Sequence, residues 1–231
     1  MNIHGIITGD IVGSKNIDAK MRQQLFMDID AFLKLQKKTW LNQYETFRGD
    51  SLQCEAKSPE FALRLALIIR AFFKAYMPEE EGPKLVLRED RPAKGYYTTD
   101  FDIRLAVGIG EVDFMRKGKI TGSDGEAFRL SGENLDALKQ ESHRMVVKTF
   151  NKDFDEQLEP SILLLDAIIQ KWTQNQGELV LYMLQNKKED EIATLLKISQ
   201  PAVNQRKKNA QWFAIEKLIQ YFEKTVKSWT A

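Results

Sequence analysis

One cysteine, Cys54, and two histidines, His4 and His143, are all that 231 residues supply of the softer metal-binding side chains. A single thiol excludes an internal disulfide and a cysteine-built zinc site. It also fits a reducing compartment. Ser–His–Asp chemistry would have to draw on one of the two imidazoles. Long apolar runs are missing too. The most apolar helix candidate, residues 61–73, is interrupted by Arg64 and Arg70, and is too short and too charged to span a bilayer. No basic leader with an apolar stretch precedes Ile3, so a secretory signal is not expected. Excess charge of one sign is absent: 34 Lys+Arg stand against 33 Asp+Glu, a net +1. That balance excludes a histone-like polycation but leaves room for a local basic patch. With 43% hydrophobic and 29% charged residues the composition is globular, not disordered. The expectation is a cytoplasmic protein with no membrane partner, in one large domain or two small ones.

What is present divides near residue 155. Residues 3–8 form a short apolar run that reads as a buried strand. In 18–39, Leu25, Phe26, Ile29, Phe32, Leu33 and Leu35 or Gln36 recur at three-to-four spacing, which predicts an amphipathic helix. Residues 44–48 and 51–55 flank Gly49-Asp50 and predict a hairpin. Ser58-Pro59 opens a helix that Pro78 stops. Residues 78–100 are Pro- and Gly-rich and read as a long loop. A core strand over 102–112, a helix over 123–139 and a strand over 144–149 follow, with Ser123-x-x-Glu126 as a capping box. The order β-α-β-β-α-β, then α-β, predicts an α+β, ferredoxin-like antiparallel sheet with helices on one face. After residue 155 the pattern is helical, with candidates at 162–172, 178–184, 189–196, 200–212 and 214–229. The expected division is 1–155 and 156–231.

In a βαββ unit the tip of the strand-two hairpin arrives beside the end of strand one. Asp10 ends the first strand and Asp50 sits at the tip, so their carboxylates can converge. Hard cations such as Mg²⁺ are held by one or two carboxylates plus phosphate oxygens, and paired metals serve phosphoryl chemistry. Gly9, Gly13 and Gly49 would let phosphates approach the backbone. Aspartate is also common in turns and hairpins for purely local reasons, and spacing alone leaves both roles open. Arg48 reads as a phosphate contact or a solvent-facing strand residue. Asp102 and Arg104 read as site neighbours or a surface ion pair. His4 reads as a packed residue and Glu111 as a strand-end carboxylate.

Gly9-Asp10-Ile11-Val12-Gly13-Ser14 resembles the segment that opens the catalytic domain of class III nucleotidyl cyclases. Gly49-Asp50 resembles their second-metal hairpin, shared with GGDEF-type palms. Gly108-Ile109-Gly110-Glu111-Val112 and Gly125-Glu126-Ala127-Phe128 resemble later segments, in the same order. Over its whole length the chain resembles the bacterial SatD family, a palm followed by a C-terminal helix-turn-helix. The resemblance implies Asp10, Ile11 and Asp50 as metal ligands, with Mg²⁺ or Mn²⁺ as the cofactor. It implies a nucleotide or phosphate ligand near Gly9, Gly13, Ser14, Arg48, Gly49 and Arg129. Departures are visible. Where active cyclases carry Asn and then Arg on the helix after Gly125, this chain has Arg129 and Glu133, and the adenine-reading Lys is Thr46. Arg129, one turn earlier, is the candidate substitute for the catalytic cation.

Glu191-Ile192-Ala193 … Ile198-Ser199-Gln200-Pro201-Ala202-Val203 matches the helix-turn-helix pattern of bacterial regulators. Ala193 is small where a second helix must pack closely, Ile198 fills the turn, and Ser199 caps the next helix. The usual turn glycine is Lys197, which costs roughly 1 kcal/mol if left-handed. Gln200, Asn204 and Gln205 are candidates for base edges, and Arg206, Lys207 and Lys208 for phosphates. Residues 187–231 hold nine Lys+Arg against five Asp+Glu, a net +4 that leaves −3 for the remainder. That asymmetry fits DNA contact through 187–213. The bland reading is a helical bundle that packs on the palm or dimerises. A homodimer is the default for both resemblances.

Together these point to a regulator in which a metal- and nucleotide-binding palm controls a DNA-binding helix-turn-helix. The alternatives are an active nucleotidyl cyclase or related transferase using Asp10 and Asp50 with Mg²⁺, and a DNA binder with a degenerate palm.

Overall fold

A computed structural model describes residues 2–47, 49–77, 101–116 and 118–230. The expected 78–100 loop lies outside them. The chain runs β1 (Ile3–Ile11), α1 (Ala19–Gln36), β2 (Leu41–Phe47), β3 (Ser51–Ala56), α2 (Ala62–Ala75), β4 (Ile103–Phe114), β5 (Asp124–Gly125), α3 (Glu126–Leu138) and β6 (Met145–Thr149). Five helices complete it: α4 (Lys152–Gln170), α5 (Gln174–Leu184), α6 (Glu189–Leu196), α7 (Gln200–Asn209) and α8 (Trp212–Lys227). The fold is α+β. Among the described residues no helix is long and apolar enough to cross a membrane.

The sheet order is β2-β3-β1-β4-β5, with β6 also paired to β4. β1 pairs with both β3 and β4 in antiparallel fashion, with Ile7 opposite Cys54 on one side and Val107 on the other. β6 pairs with β4 in parallel, Val107 opposite Val147. The expectation of a wholly antiparallel sheet is corrected there. α3 crosses over between β4 and β6, and such a crossover returns the chain in the same direction.

Helices also cover both faces, not one. Alternate residues of a strand face opposite ways. Ile3, Ile7, Leu105, Val107 and Ile109 join the core shared with α1, α2 and α4. Ile6 packs with Ala127 and Phe128, and Ala106 with Leu135 and Leu138, all on α3. β4 admits α3 because its residue there is Gly108. A β-carbon at that position would collide with the Ala127 carbonyl and come within 2.7 Å of Ser131 N. The apolar run of β4 is therefore apolar on both sides for two different reasons, core contact and close helix approach.

α2 is buried along its whole length, Arg70 and Lys74 included. A helix apolar all round belongs between layers. α2 has the sheet on one side and the C-terminal helices on the other, and its core is continuous with Trp172, Val180, Trp212 and Phe222. Arg64 stacks over Trp40 and reaches the Glu223 carboxylate at 2.6 Å and the Leu184 carbonyl at 3.2 Å. The expected boundary at residue 155 falls within α4, whose start is capped by Asn151, its side chain accepting from Phe154 N–H at 3.1 Å.

The expected Ser123–Glu126 capping box is not formed. Gly125 occupies the N-cap of α3, Ser123 Oγ accepts from Arg116 N–H, and Glu126 accepts from Glu111 N–H. At the end of β6 the Thr149 N–H donates to both oxygens of buried Asp155, at 2.9 and 3.0 Å.

Candidate functional site

The end of β1 meets the β2–β3 turn through the backbone. Asp10 lies opposite Ser51 in the β1–β3 register, and the Ile11 N–H donates to the Asp50 carbonyl at 2.8 Å. The chain then turns at Gly13, in the left-handed region at φ 66°, into a short 3-10 turn, Ser14–Asn16. That turn carries Ser14 back, so its Oγ donates to Asp50 Oδ2 at 2.9 Å. Ser51 Oγ donates to the other oxygen at 3.1 Å. Asp10 and Asp50 are thus brought to the same end of the sheet, as the connectivity predicted.

Their environments differ. Asp50 is oriented by two hydroxyls. Asp10 is 18% exposed at its side chain, with Oδ2 3.6 Å from the Arg104 guanidinium. Its Oδ1 is buried and has no hydrogen-bond partner among the described residues. Burial pushes the Asp10 carboxyl above its ordinary value. Arg104 and Lys139 oppose that rise, and the Asp50 and Asp136 carboxylates add to it. Asp136 belongs to α3 and Lys139 follows its last residue, so the C-terminal end of α3 faces the pair.

The same geometry removes Arg129 from the site. Arg129 is exposed at the other end of α3 and bonds to Asp113 at 3.4 Å and Asp124 at 3.2 Å. Asp113 is nine residues along β4 from Arg104, about 30 Å at strand rise. Arg129 can serve neither as the cation of this site nor as a ligand contact in it. Gly9 is corrected as well. It faces the core, where a β-carbon would lie 2.7 Å from Leu105 Cδ2, so packing explains its identity. Gly13 and Gly49 are open, and Gly49, at φ 74°, has no atom of the described residues within 4 Å of the position a β-carbon would take. Ile11 points its side chain into the core and offers the site only its backbone. Arg48 lies outside the described residues.

Asp102 is neither a site contact nor a surface residue. It is 1% exposed and receives both Nε and Nη2 of Arg70, at 3.1 and 3.3 Å, and Arg144 Nη1 at 2.6 Å. Lys74 lies 3.4 Å away. Arg70 also bonds to Asp166 of α4. Burial works to raise the Asp102 carboxyl, but Arg70, Lys74 and Arg144 outweigh it and hold it at about 2. The Asp102 carbonyl accepts from Val12 N–H at 2.9 Å, so this network anchors the segment that carries Asp10. Sequence reasoning had Arg70 only as a charge in an apolar helix. His4 is half-buried and bonds to Glu55 at 2.8 Å, a structural contact, and Glu111 is exposed on β4.

α6 and α7 pack against α5 through Leu179, Tyr182, Ile192 and Val203, with Ala193, Leu196 and Ile198 around them. Lys197 is left-handed at φ 51°, and Ser199 Oγ accepts from Ala202 N–H at 3.4 Å. Gln200, Asn204, Gln205 and Lys208 share the exposed face of α7. Gln205 donates to Asn209 at 2.9 Å. Arg206 and Lys207 are half-buried, and Lys207 is turned back onto Glu189 at 2.6 Å. Lys207 therefore stabilises the α6–α7 corner and is not set out for phosphate.

Two carboxylates with an open backbone turn on each side suit a cation that completes its shell with phosphate oxygens. Among the described residues no group of three or more His, Cys, Asp and Glu gathers into a closed metal cage. Comparisons with family models, with curated proteins and with solved structures returned no match.

Proposed function

We propose that the chain is a SatD-like cytoplasmic regulator, in which a ferredoxin-like, cyclase-related palm binds a nucleotide or related phosphate with Mg²⁺ or Mn²⁺ and controls a DNA-binding helix-turn-helix. The observation that carries this reading is the buried Oδ1 of Asp10 beside Asp50, which has no hydrogen-bond partner among the described residues. An acceptor shielded from water without a donor is a position that a cation satisfies. Asp10, Asp50 and the Ile11 carbonyl would hold the metal. Ser14 and Ser51 orient Asp50, and the open turns at Gly13 and Gly49 leave room for phosphate oxygens. The strand order β2-β3-β1-β4, with α1 and α2 on one face, supports the palm part of the reading.

The DNA part is supported by the amide-bearing outer face of α7 and by the net +4 of residues 187–231. Arg206 and Lys208 remain the phosphate candidates. Between a regulator and a working cyclase, the position of Arg129 favours the regulator. A departing phosphate at Asp10 and Asp50 would meet Arg104 and Lys139, and Arg104 is already drawn to Asp10.

The test is thermal unfolding with ATP, GTP and other nucleotides, with and without Mg²⁺ or Mn²⁺. At a hundred times its Kd a ligand adds about 2.7 kcal/mol, a rise of roughly 5–10 °C at this size. A metal-dependent rise in wild type that is lost in Asp10→Asn supports the site. No rise with any nucleotide rejects it. Product analysis of the same mixtures separates regulator from enzyme. For the helices, Arg206→Ala with Lys208→Ala should weaken DNA binding and flatten its salt dependence. An unchanged salt slope would remove the DNA assignment.

A further inference from the structure

Between Pro160 and Ala167, α4 is apolar on two opposite faces. Phe154, Leu158, Ile162, Leu165 and Ile169 are buried against the rest of the protein. Helix periodicity puts Pro160, Leu163, Leu164 and Ala167 on the far side, and all four are exposed, Leu164 at 68%. A surface helix keeps polar residues on its outer face, and one apolar all round is normally covered on both sides. The outer stripe is bounded at one end by Glu156 and at the other by Lys171, both exposed. Leu163 also lines a cleft of about 190 Å³ between α3, β6 and α4, with Ala137, Leu138, Val146 and Ile162.

We infer that this face is a dimer interface, in which α4 packs antiparallel on α4 of a second copy of the chain. The charges decide the occupant. Reversing the stripe about its centre sets Leu163 against Leu164 of the partner subunit, and Pro160 against Ala167 of the partner subunit. It also sets Glu156 against Lys171 of the partner subunit, and a two-fold axis makes each of these contacts twice. The stripe is thus complementary to its own reverse. A parallel copy would oppose Glu156 to its own kind. Leu164 of the partner subunit would sit beside Leu163, at the mouth of the cleft. The helix between Glu156 and Lys171 is about 22 Å long, a small interface that gives a concentration-dependent dimer. This inference is independent of the metal and DNA readings.

The experiment is sedimentation velocity of the full chain over a wide concentration series. Wild type should pass from 26.7 kDa to twice that mass. Leu164→Glu should stay monomeric at every concentration, with a wild-type thermal midpoint because the residue is exposed. Glu156→Lys and Lys171→Glu should each weaken the dimer about tenfold, and the two together should restore it. A wild-type monomer throughout overturns the proposal, as does a Leu164→Glu variant that still dimerises. Failure of the double charge exchange to restore the dimer overturns the antiparallel arrangement.

Discussion

Asp102 and Asp10 sit at the same end of the sheet, joined by the hydrogen bond from Val12 to the Asp102 carbonyl, yet they are held in opposite ways. Asp102 is nearly inaccessible and surrounded by Arg70, Lys74 and Arg144, and its carboxyl is held at about 2. Asp10 is less buried, has one guanidinium at 3.6 Å, keeps one oxygen without a partner among the described residues, and is shifted upward. Burial works in the same direction on both. The number of cations facing each carboxylate decides the outcome. The framework aspartate is saturated by cations, and the one at the strand end is left short of them.

The largest effect is expected at Asp102. Asp102→Ala leaves Lys74 buried without its carboxylate and Arg70 with Asp166 alone, which should cost about 3–5 kcal/mol, read by chemical denaturation. Next comes the acid limb of the wild-type protein. The Asp102 carboxyl is lowered from 3.8 to about 2, so its contribution is present above 3.8 and lost as pH falls toward 2. Stability should drop by roughly 2 kcal/mol across that window, and Asp102→Asn should flatten the slope there. Ser14→Ala removes the hydroxyl that orients Asp50 and should cost about 1 kcal/mol. It should also reduce any metal-dependent rise in Tm. The smallest effect has the opposite sign. The Asp10 carboxyl is raised, so its charged form opposes folding at neutral pH and the penalty fades as pH falls through its raised value to 3.8. Asp10→Asn in EDTA should therefore raise Tm slightly at pH 7, with the difference shrinking toward acid. A lowered Tm at pH 7 would mean that the Arg104 pair outweighs burial.

Much of the chain was legible because its periodicities are local. Strand β1 begins where the apolar run put it and extends to Ile11, α1 falls where three-to-four spacing put it, α6 falls at its expected 189–196, and the Lys197 turn is left-handed as the missing glycine implied. The meeting of Asp10 and Asp50 followed from connectivity alone. What could not be read depends on direction and layering. α3 was placed on the wrong face because Gly108 reads as one more small core residue, and only the helix pressed on it explains the glycine. The direction of α3 decides that Lys139, not Arg129, faces the carboxylates. The first turns of α4 were missed because Pro160 reads as a break, although the helix passes through it. Arg70 and Asp102 lie 32 residues apart in sequence, on elements whose packing no local pattern reports.

The Asp155 carboxylate at the end of β6 has a consequence beyond its own hydrogen bonds. A strand with one neighbour normally offers its outward amides to any extended chain that drifts past, which is how sheets grow into fibres. Here the last outward amide of β6, that of Thr149, is taken by two oxygens from the helix that follows. At the opposite margin β2 carries an irregularity between Leu41 and Gln43, which disturbs the spacing a docking strand would need. Both β6 and β2 thus carry a local feature that hinders the docking of a further strand.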